Sequence, residues 1–401
     1  MRARSVTLED VASAAGVSYQ TVSRVLNHSS QVAEQTRMRV EAAMQALNYV
    51  PNRVAQQLAG KNTRTLGLAT SDLALLAPAQ IASAIQQRTS QLGYHLVIAM
   101  AGSGGAQQAV SDLLSQRVDA LLINVPLEAQ AAQQIERMAA SLPCLFLDVA
   151  EDADVAACTF SAHTGARQGA EHLLQLGHRH IALLNGPADS VAARARRAVW
   201  IEVLQEHQLA PCNQLEGDWS AQSGFKAVMQ LAGQEMPSAL LVANDQMALG
   251  AMQALHQMGV AVPAEMSVVG YDDTADSAWY QPPLTTVRQD MRQLGEHSVQ
   301  WLTRQLEQPG SETGLPPFAT SLVVRASTAA PVTRSVRLIR WQRSYAVWHN
   351  SWIMTYHKKS RASLPGSLYS LMSPQAITLL VRPVISIFST DRDVLSTGRH
   401  F

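Results

Sequence analysis

Apolar side chains recur at spacings of three and four residues along the first fifty positions, which predicts three short amphipathic helices. Thr7 and Ser18 are suited to cap the first two helices, and Gly16 ends the first of them in a tight turn. A third helix is predicted over about residues 33 to 47. The predicted inward positions are Leu8, Val11, Ala12 and Ala15, then Val22, Val25 and Leu26, then Val40, Ala43, Met44 and Leu47. Three such helices around one small core form a helix-turn-helix arrangement.

The second helix leaves polar side chains on its outer face. These are Tyr19, Gln20, Thr21, Ser23 and Arg24. In a helix-turn-helix domain this helix enters the major groove, where amide, hydroxyl and guanidinium groups match the hydrogen-bonding patterns of base edges. A polar helix face is often only solvated. Because the glycine turn, the cap and a local excess of basic residues agree, we favour DNA reading over solvation.

From residue 63 onward the pattern changes to short apolar runs separated by amphipathic stretches. The runs are "TLGLA", "HLVIAM", "ALLINV", "CLFLDV", "HIALLNG", "ALLVAND" and "SVVGYDD". This alternation predicts strands buried on both faces, with helices between them, in a parallel doubly wound sheet.

Ligands of such sheets bind outside the carboxyl ends of the strands. The polar residues expected there are Ser71, Asp148, Asn244, Asp245, Asp272 and Asp273. Each acid taken alone is better explained as a strand-end cap or a solvated loop residue. Their joint placement at strand ends indicates a ligand site.

The formal net charge of zero hides an uneven distribution. Residues 1 to 64 carry eight Lys/Arg against four Asp/Glu, residues 65 to 330 carry thirteen against 25, and residues 331 to 401 carry ten against two. A basic N-terminal segment commonly binds a polyanion, although so small an excess of positive charge also occurs on ordinary solvated surfaces.

The chain shows no signal for export, membrane insertion or metal binding. Cys144, Cys158 and Cys212 are too few and too scattered for a disulfide framework or a zinc site. The N-terminus lacks the apolar segment of a secretory signal, and no apolar run approaches the ~20 residues of a membrane span. We therefore expect a cytoplasmic protein that binds no metal.

Catalysis is not expected. The sequence contains no GxSxG, GxxxxGK[ST] or HExxH motif. Asp272 and Asp273 are adjacent, and neighbouring side chains on a strand or turn diverge, so they cannot be assumed to flank one glycosidic bond.

An exported sugar-binding protein would share the body, but the basic head and the missing signal argue against it.

Long stretches of the chain resemble the lactose repressor family. They include "VTLEDVASAAGVSYQTVSRVLN", "NYVPNRVAQQLAGK", "ATSDLALLAPAQI", "LLVANDQMALGAM" and "PPLTTVRQD", and the likeness runs from about residue 5 to residue 330. The resemblance implies an all-α helix-turn-helix head and an α/β body of two doubly wound parallel-sheet subdomains, like periplasmic sugar-binding proteins.

The resemblance also implies a function. We expect a homodimeric repressor of a lactose or galactoside-utilisation operon, which needs no cofactor and is released from operator DNA by a galactoside such as allolactose. In that family the residues matching Tyr19, Gln20 and Arg24 select the operator. The alternatives are a corepressor-dependent regulator of purine-repressor type, whose ligand tightens DNA binding, and a regulator that responds to another sugar.

The resemblance divides the chain into four segments. They are a DNA-binding domain at 1–50, a hinge helix at 51–62, a sugar-binding and dimerisation core at 63–330, and an atypical tail at 331–401. The hinge is too short and too little apolar to fold alone. The resemblance adds Asn52 to the DNA contacts and makes Leu58 a wedge in the minor groove. A flexible linker with an incidental leucine is the alternative.

By position in the family's motifs, eleven residues are expected to form the sugar site. Those matched to sugar hydroxyls are Asp148, Arg196, Asn244 and Asp272, the stacking aromatic is Trp219, and the apolar wall contains Leu75, Ala77, Pro78, Ile81, Phe160 and Met291. Carboxylates, amides and guanidinium groups bind hydroxyls, and an aromatic plane packs against the less polar face of a sugar ring.

Three positions depart from the family's lactose-type pattern. Met291 replaces a phenylalanine of the pocket wall, Ala192 replaces a serine, and Leu76 replaces a histidine where the subdomains meet. Methionine is flexible, so we expect room for a bulkier aglycone and less shape specificity.

The resemblance ends near Pro331. No Asp or Glu occurs between residues 313 and 390, and Trp341, Trp348 and Trp352 lie among arginines. The segment has no sustained heptad repeat, so we expect a disordered or poorly packed tail and a dimer rather than a tetramer. An altered reading frame explains this composition better than a basic, aromatic tail that adds nucleic-acid affinity.

Overall fold

The computed structural model describes residues 6–26, 31–49, 63–139, 142–310 and 315–332. The first two ranges contain three helices, which are α1 (Leu8–Ala15), α2 (Tyr19–Leu26) and α3 (Glu34–Ala46). The Thr7 hydroxyl accepts a hydrogen bond from the Asp10 amide, and Gly16 closes α1 with φ 63°. Val11, Val22 and Val40 are fully buried at the centre of this head. The three predicted helices are confirmed.

Two sheets form the body. The first contains β1 (Thr65–Thr70), β2 (His95–Met100), β3 (Ala120–Asn124) and β4 (Cys144–Phe146), all parallel, in the order β2-β1-β3-β4. The second contains β5 (Ile181–Asn185), β6 (Gln214–Glu216), β7 (Ala239–Val242), β8 (Ser267–Asp272), β9 (Thr285–Arg288) and β10 (Ser321–Val323), in the order β10-β9-β8-β7-β5-β6. Only β10 runs antiparallel to its neighbour among these described strands. The predicted architecture of two parallel-sheet subdomains is confirmed.

Helices cover both sheets. They are α4 (Leu76–Gln91), α5 (Gly105–Ser115), α6 (Ala129–Met138), α7 (Ala162–Gln175), α8 (Val191–Glu206), α9 (Ala221–Met229), α10 (Asp245–Gln257) and α11 (Met291–Glu307). None of the described helices has the length and apolar character that crossing a bilayer requires.

The chain passes between the two subdomains three times. Helix α11 follows β9 of the second sheet but returns to the first sheet, where Leu294 and Trp301 join the core. It packs closely against α4, since a Cβ on Gly295 would lie 2.7 Å from the Cβ of Ala84. Before Ala162 and again before Ser321 the chain crosses in the other direction, and these two crossovers pair through a bridge between Phe160 and Phe318. A ligand cleft bounded by such crossovers can change shape while both sheets remain intact.

The sequence pattern was wrong about one strand and missed three. Strand β2 is not buried on both faces, because it is the edge strand of its sheet and leaves Ile98 and Met100 exposed. Strands β6, β9 and β10 span three or four residues each and contain polar residues, so they form no distinct apolar run.

Candidate functional site

The outer face of α2 carries the side chains that were predicted to read DNA. Tyr19, Gln20 and Arg24 are exposed, whereas Thr21 and Ser23 are half-buried. The Thr21 amide donates to the Ser18 hydroxyl (3.2 Å), so Ser18 caps α2 as predicted. Since the first turn of α2 contains no acidic residue, the helix offers donors and a positive charge to a polyanion. The predicted contacts Asn52 and Leu58 lie outside the described residues, as do the whole hinge and the tail from residue 333.

A cavity of about 160 Å³ lies where the two subdomains meet. Its lining comes from the carboxyl ends of β1, β3 and β4 and from the start of α4, α8 and α11. Seven of the eleven predicted sugar-site residues line it, namely Ala77, Pro78, Ile81, Asp148, Phe160, Arg196 and Met291. The apolar wall and two charged groups therefore meet in one cavity.

Arg196 is the buried cation of this site, with 7% of its surface exposed. One guanidinium nitrogen donates to the carbonyl oxygen of Ala243, and the other donates to Oε1 of Gln289 (3.2 Å). The second nitrogen also lies 3.7 Å from Oδ1 of Asp272. These contacts fix the guanidinium plane, so the donors it presents to a ligand are already oriented.

Two aromatic rings flank the same guanidinium. Its central carbon lies 3.9 Å from the centroid of the Tyr271 ring and 5.7 Å from that of Trp219. Trp219 has φ 74°, a left-handed conformation that favours glycine, and Gly186 leaves the space into which its indole ring packs. Asp272 is also left-handed, with φ 115°. Such backbones cost on the order of 1–3 kcal/mol each, which indicates that these positions need their side chains.

Burial changes the acidity of the two carboxyl groups nearest Arg196. It raises the pKa of Asp272 to about 7, an effect that Arg196 opposes and Asp245 increases. It likewise raises the pKa of Asp148 to about 6, again against the attraction of Arg196. Within the described part of the chain, no hydrogen-bond donor contacts the Asp148 carboxylate, so its oxygens are available to the hydroxyl groups of a ligand.

The other strand-end acids have structural partners. The Asp245 carboxylate is fully buried and accepts hydrogen bonds from the Ser277 hydroxyl (2.5 Å) and the Thr286 hydroxyl (2.6 Å). Asp273 forms ion pairs with Arg288 (2.6 Å) and Arg325 (2.5 Å). The strand-end rule therefore placed six polar residues at the carboxyl ends of the strands, but it did not separate Asp148, which lines the cavity, from the acids that have structural partners.

Four predicted sugar-site residues do not line the cavity. Trp219 and Asp272 contact Arg196, which lines the cavity, but do not line it themselves. Leu75 is the residue before the first turn of α4. Asn244 caps α10, because its Oδ1 accepts from the Met247 amide (2.9 Å) while its Nδ2 donates to the Trp219 carbonyl (3.0 Å). In this structure Asn244 positions the Trp219 loop.

Several residues that line the cavity were not predicted from the sequence. They are Asn124, Leu147, Val149, Glu151, Thr159, Ala162, Val191, Ala195, Gln289 and Leu294, whereas Ser71, which was expected at a strand end, also lines the cavity. Asn124 ends the predicted strand "ALLIN", so the strand-end rule could have found it. Gln289 follows a strand too short to predict, and no sequence signal marks it.

The three departures from the family pattern occupy defined places. Met291 and Ala192 line the cavity. The Leu76 amide donates to Oε1 of Gln246 (2.9 Å) and so joins the two subdomains through its backbone. Among the described residues, no group of three or more His, Cys, Asp or Glu side chains is placed to hold a metal ion.

Two family models match the chain. Residues 7–52 match "Bacterial regulatory proteins, lacI family", and residues 170–328 match "Periplasmic binding protein-like domain". The chain is 52% identical to the lactose operon repressor of Escherichia coli K12, over 83% of this chain and 93% of that protein. It is 42% identical to the lactose operon repressor of Klebsiella pneumoniae, over 77% of this chain and 88% of that protein.

A solved structure has the same fold. The lac repressor dimer bound to operator and the anti-inducer ONPF superimposes with a TM-score of 0.76 at 51% identity, covering 82% of this chain and all of that one. The likeness therefore extends over the head and the body together.

Proposed function

Because the chain belongs to the lacI family of bacterial regulatory proteins and is a DNA-binding transcription regulator rather than an enzyme, we propose that it represses a galactoside-utilisation operon and leaves its operator when a galactoside binds. The observation that carries this proposal is the cavity in which Asp148 and Arg196 face an apolar wall. The proposed repressor needs a sugar effector and no cofactor. Since it acts on DNA, we place it in the cytoplasm.

The head supplies the DNA contacts. Gln20 matches the hydrogen-bonding edge of adenine and Arg24 that of guanine, and exposed Tyr19 lies beside them at the start of α2. The half-buried Thr21 and Ser23 are suited to fix the register of the helix on the backbone. Asn52 and Leu58 would extend the contact into the minor groove.

A homodimer presents two heads to the two halves of a palindromic operator. The exposed apolar side chains of the second subdomain support a partner surface there. Trp279 is 85% exposed and Leu249 is 45% exposed. Leu249 lies in the first half of α10. Trp279 is next to Tyr280, whose hydroxyl donates to the Asp245 carbonyl at the start of the same helix (3.2 Å). An indole ring buried against a second copy contributes more binding free energy than most other side chains at an interface.

The galactoside would bind with its hydroxyl groups at Asp148 and Arg196 and its apolar parts against Ala77, Pro78 and Ile81. Release from DNA requires that the ligand bind two subdomain arrangements with unequal affinity. The cavity has walls from both subdomains, so a change in their mutual arrangement changes its shape. The backbone link from Leu76 to Gln246 is one contact that such a change would affect.

Fluorescence anisotropy with a labelled lac-type operator, measured with and without allolactose, tests this function. We expect allolactose to lower operator affinity. An increase would identify a corepressor-dependent regulator of purine type. No change with galactosides, together with release by a different sugar, would identify a regulator of that sugar.

A further inference from the structure

The chain enters the body at Thr63, which is the first described residue after the head. Residues 50–62 join the two and lie outside the described residues. We propose that Asp119 is the positioning residue that fixes the direction in which the chain leaves the body toward the DNA-binding head, and that operator affinity depends on this contact. The inference rests on the operator release proposed above and adds the residue through which the body acts on the head.

The Asp119 carboxylate holds both ends of residues 63–65, which we call the entry segment. The Thr63 amide donates to Oδ1 (3.0 Å) and the Thr65 amide donates to Oδ2 (3.1 Å). The Asp119 amide in turn donates to the Thr65 carbonyl (2.7 Å). Arg64, between the two held residues, is left-handed with φ 47°. A residue other than glycine persists in that conformation only where neighbouring contacts impose it, so the carboxylate fixes the course of the chain at this point.

The neighbouring strands of β1 make further contacts with the entry segment. In the turn before β3, the Arg117 carbonyl accepts from the Thr63 hydroxyl (3.1 Å), and Arg117 is itself left-handed with φ 54°. On the other side, the His95 amide at the start of β2 donates to the Arg64 carbonyl (2.8 Å). The entry segment is therefore bound on both sides, and it cannot change direction without breaking some of these hydrogen bonds.

The strands behind this contact lead to the proposed sugar cavity. Strand β1 continues the entry segment, strand β3 follows Asp119, and the two strands pair in parallel. At their far ends Asn124 lines the cavity, and its side-chain amide donates to the Thr70 hydroxyl (3.3 Å). Both strands are buried along their whole length, so about 16 Å of closely packed sheet separates the cavity from Asp119. If a ligand turns the first subdomain, the entry segment therefore turns with it.

An ordinary stabilising role at the start of a sheet is the competing explanation for Asp119. Its side chain is only half-buried, so water can reach the two amides once the carboxylate is lost, and the expected loss of stability is small. A stabilising role alone lowers the folded fraction and leaves the operator affinity of the folded protein unchanged. A positioning role lowers that affinity in a protein that is still folded.

Asp119→Asn in the full chain separates the two roles. The asparagine oxygen can accept from one backbone amide while its NH₂ group faces the other, so one hydrogen bond is lost at nearly constant shape. We expect operator affinity, measured by fluorescence anisotropy without ligand, to fall by about 3- to 10-fold. The substitution removes a negative charge, which by itself would raise the affinity for a polyanion, so a fall in affinity has the opposite sign to the charge effect.

Asp112→Asn is the matched control. It removes the same charge from the same subdomain, since Asp112 is exposed on α5 and accepts from the Gln108 side-chain amide (2.8 Å). We expect no fall in operator affinity for this variant. A fall as large as that of Asp119→Asn would overturn the inference.

Allolactose supplies the second measurement. In saturating allolactose, Asp119→Asn and the wild-type chain should bind operator with nearly equal affinity, because the entry segment no longer has the direction that the operator requires. By linkage, allolactose should bind the operator complex of Asp119→Asn about 3- to 10-fold more tightly than the wild-type complex, and should bind the two free proteins equally.

Urea unfolding establishes that each variant is folded under the conditions of the binding measurement. Thr63→Val is a milder second variant with the same expected direction, since it loses only the hydroxyl contact with the Arg117 carbonyl. Unchanged operator affinity for both variants, or equal losses with and without allolactose, would overturn the inference and leave the proposed function standing. If galactosides did not lower the operator affinity of the wild-type chain, the proposed function would fail, and the affinities without ligand would still decide the role of Asp119.

Discussion

The Arg196 guanidinium lies over the face of the Tyr271 ring, with its central carbon 3.9 Å from the ring centroid. Tyr271 is fully buried in the core of the second subdomain, and Arg196 reaches from that core into the cavity. A cation held in this way keeps its orientation when a ligand leaves. The donors that we propose to bind the ligand are thus supported by the same residues that stabilise the subdomain.

We expect Arg196→Lys to retain operator binding and to lose the galactoside response, because lysine lacks the planar donors that contact Ala243 and Gln289. The galactoside affinity should fall by at least about tenfold, the equivalent of one charged hydrogen bond. Arg197→Lys is the control, since Arg197 is exposed on the same helix and pairs with Gln214. Normal release of operator by the Arg196→Lys protein would show that the site is misassigned.

Asp272→Asn should increase the free energy of unfolding, and the increase should grow with pH. The pKa of Asp272 is about 7 in the folded chain and ~3.9 when unfolded, so the native state binds more protons between these values and stability falls as pH rises from about 4 to about 7. Urea unfolding should show a larger gain at pH 8 than at pH 5, with a difference on the order of 1–3 kcal/mol, because part of the penalty is already present at pH 5.

Asp273→Asn supplies the contrast to this prediction. Asp273 is held by Arg288 and Arg325, so its replacement should destabilise the protein at both pH values. A gain in stability for Asp272→Asn that did not depend on pH would contradict the raised pKa.

Gly186→Ala should lower galactoside affinity without changing operator affinity, because a Cβ at this position would overlap the Trp219 ring. The displaced ring would also alter the Arg196 contact at 5.7 Å. Calorimetry and anisotropy measure the two affinities separately. Gly102→Ala is the comparison for loss of a glycine, since a Cβ there meets no atom within 4 Å and the backbone of Gly102 is not left-handed.

Gln20→Ala and Arg24→Ala should relax base preference at particular operator positions. A good bidentate contact contributes about 1–3 kcal/mol of discrimination against the wrong base. Selection from a randomised operator library measures this, and Arg39→Ala on the exposed face of α3 controls for loss of charge. An equal loss of affinity on every sequence would remove these residues from direct base reading and assign them to phosphates.

A chain truncated after Val332 should remain a dimer with unchanged operator affinity. Light scattering on the full and truncated chains measures the assembly, and anisotropy measures the affinity. A tetramer that became a dimer on truncation would show that the tail joins dimers. A large fall in operator affinity would instead favour a basic tail that contacts nucleic acid.

Long periodic patterns and local signals predicted most of the fold. The Thr7 cap, the Gly16 turn and the seven apolar runs correspond to observed elements, because each depends on neighbours within a few residues. The exposure of β2 could not be predicted, since an edge position depends on which strands pair. The same limit applies to the acids. Asp272 ends β8 and Asp245 follows β7 at the start of α10, and only tertiary contacts decide that Asp245 accepts a hydrogen bond from Ser277 while Asp272 lies beside Arg196.

Helix α11 has a consequence for synthesis of the protein. It completes the core around Leu66 and Leu68, yet it ends at Glu307, about 160 residues after β4 ends at Phe146. At roughly 5 to 20 residues per second, the ribosome needs about 10 to 30 seconds to span that interval. During this time the first subdomain exposes apolar surface that only α11 covers. We therefore expect the nascent first subdomain to remain prone to aggregation until most of the second subdomain has been made.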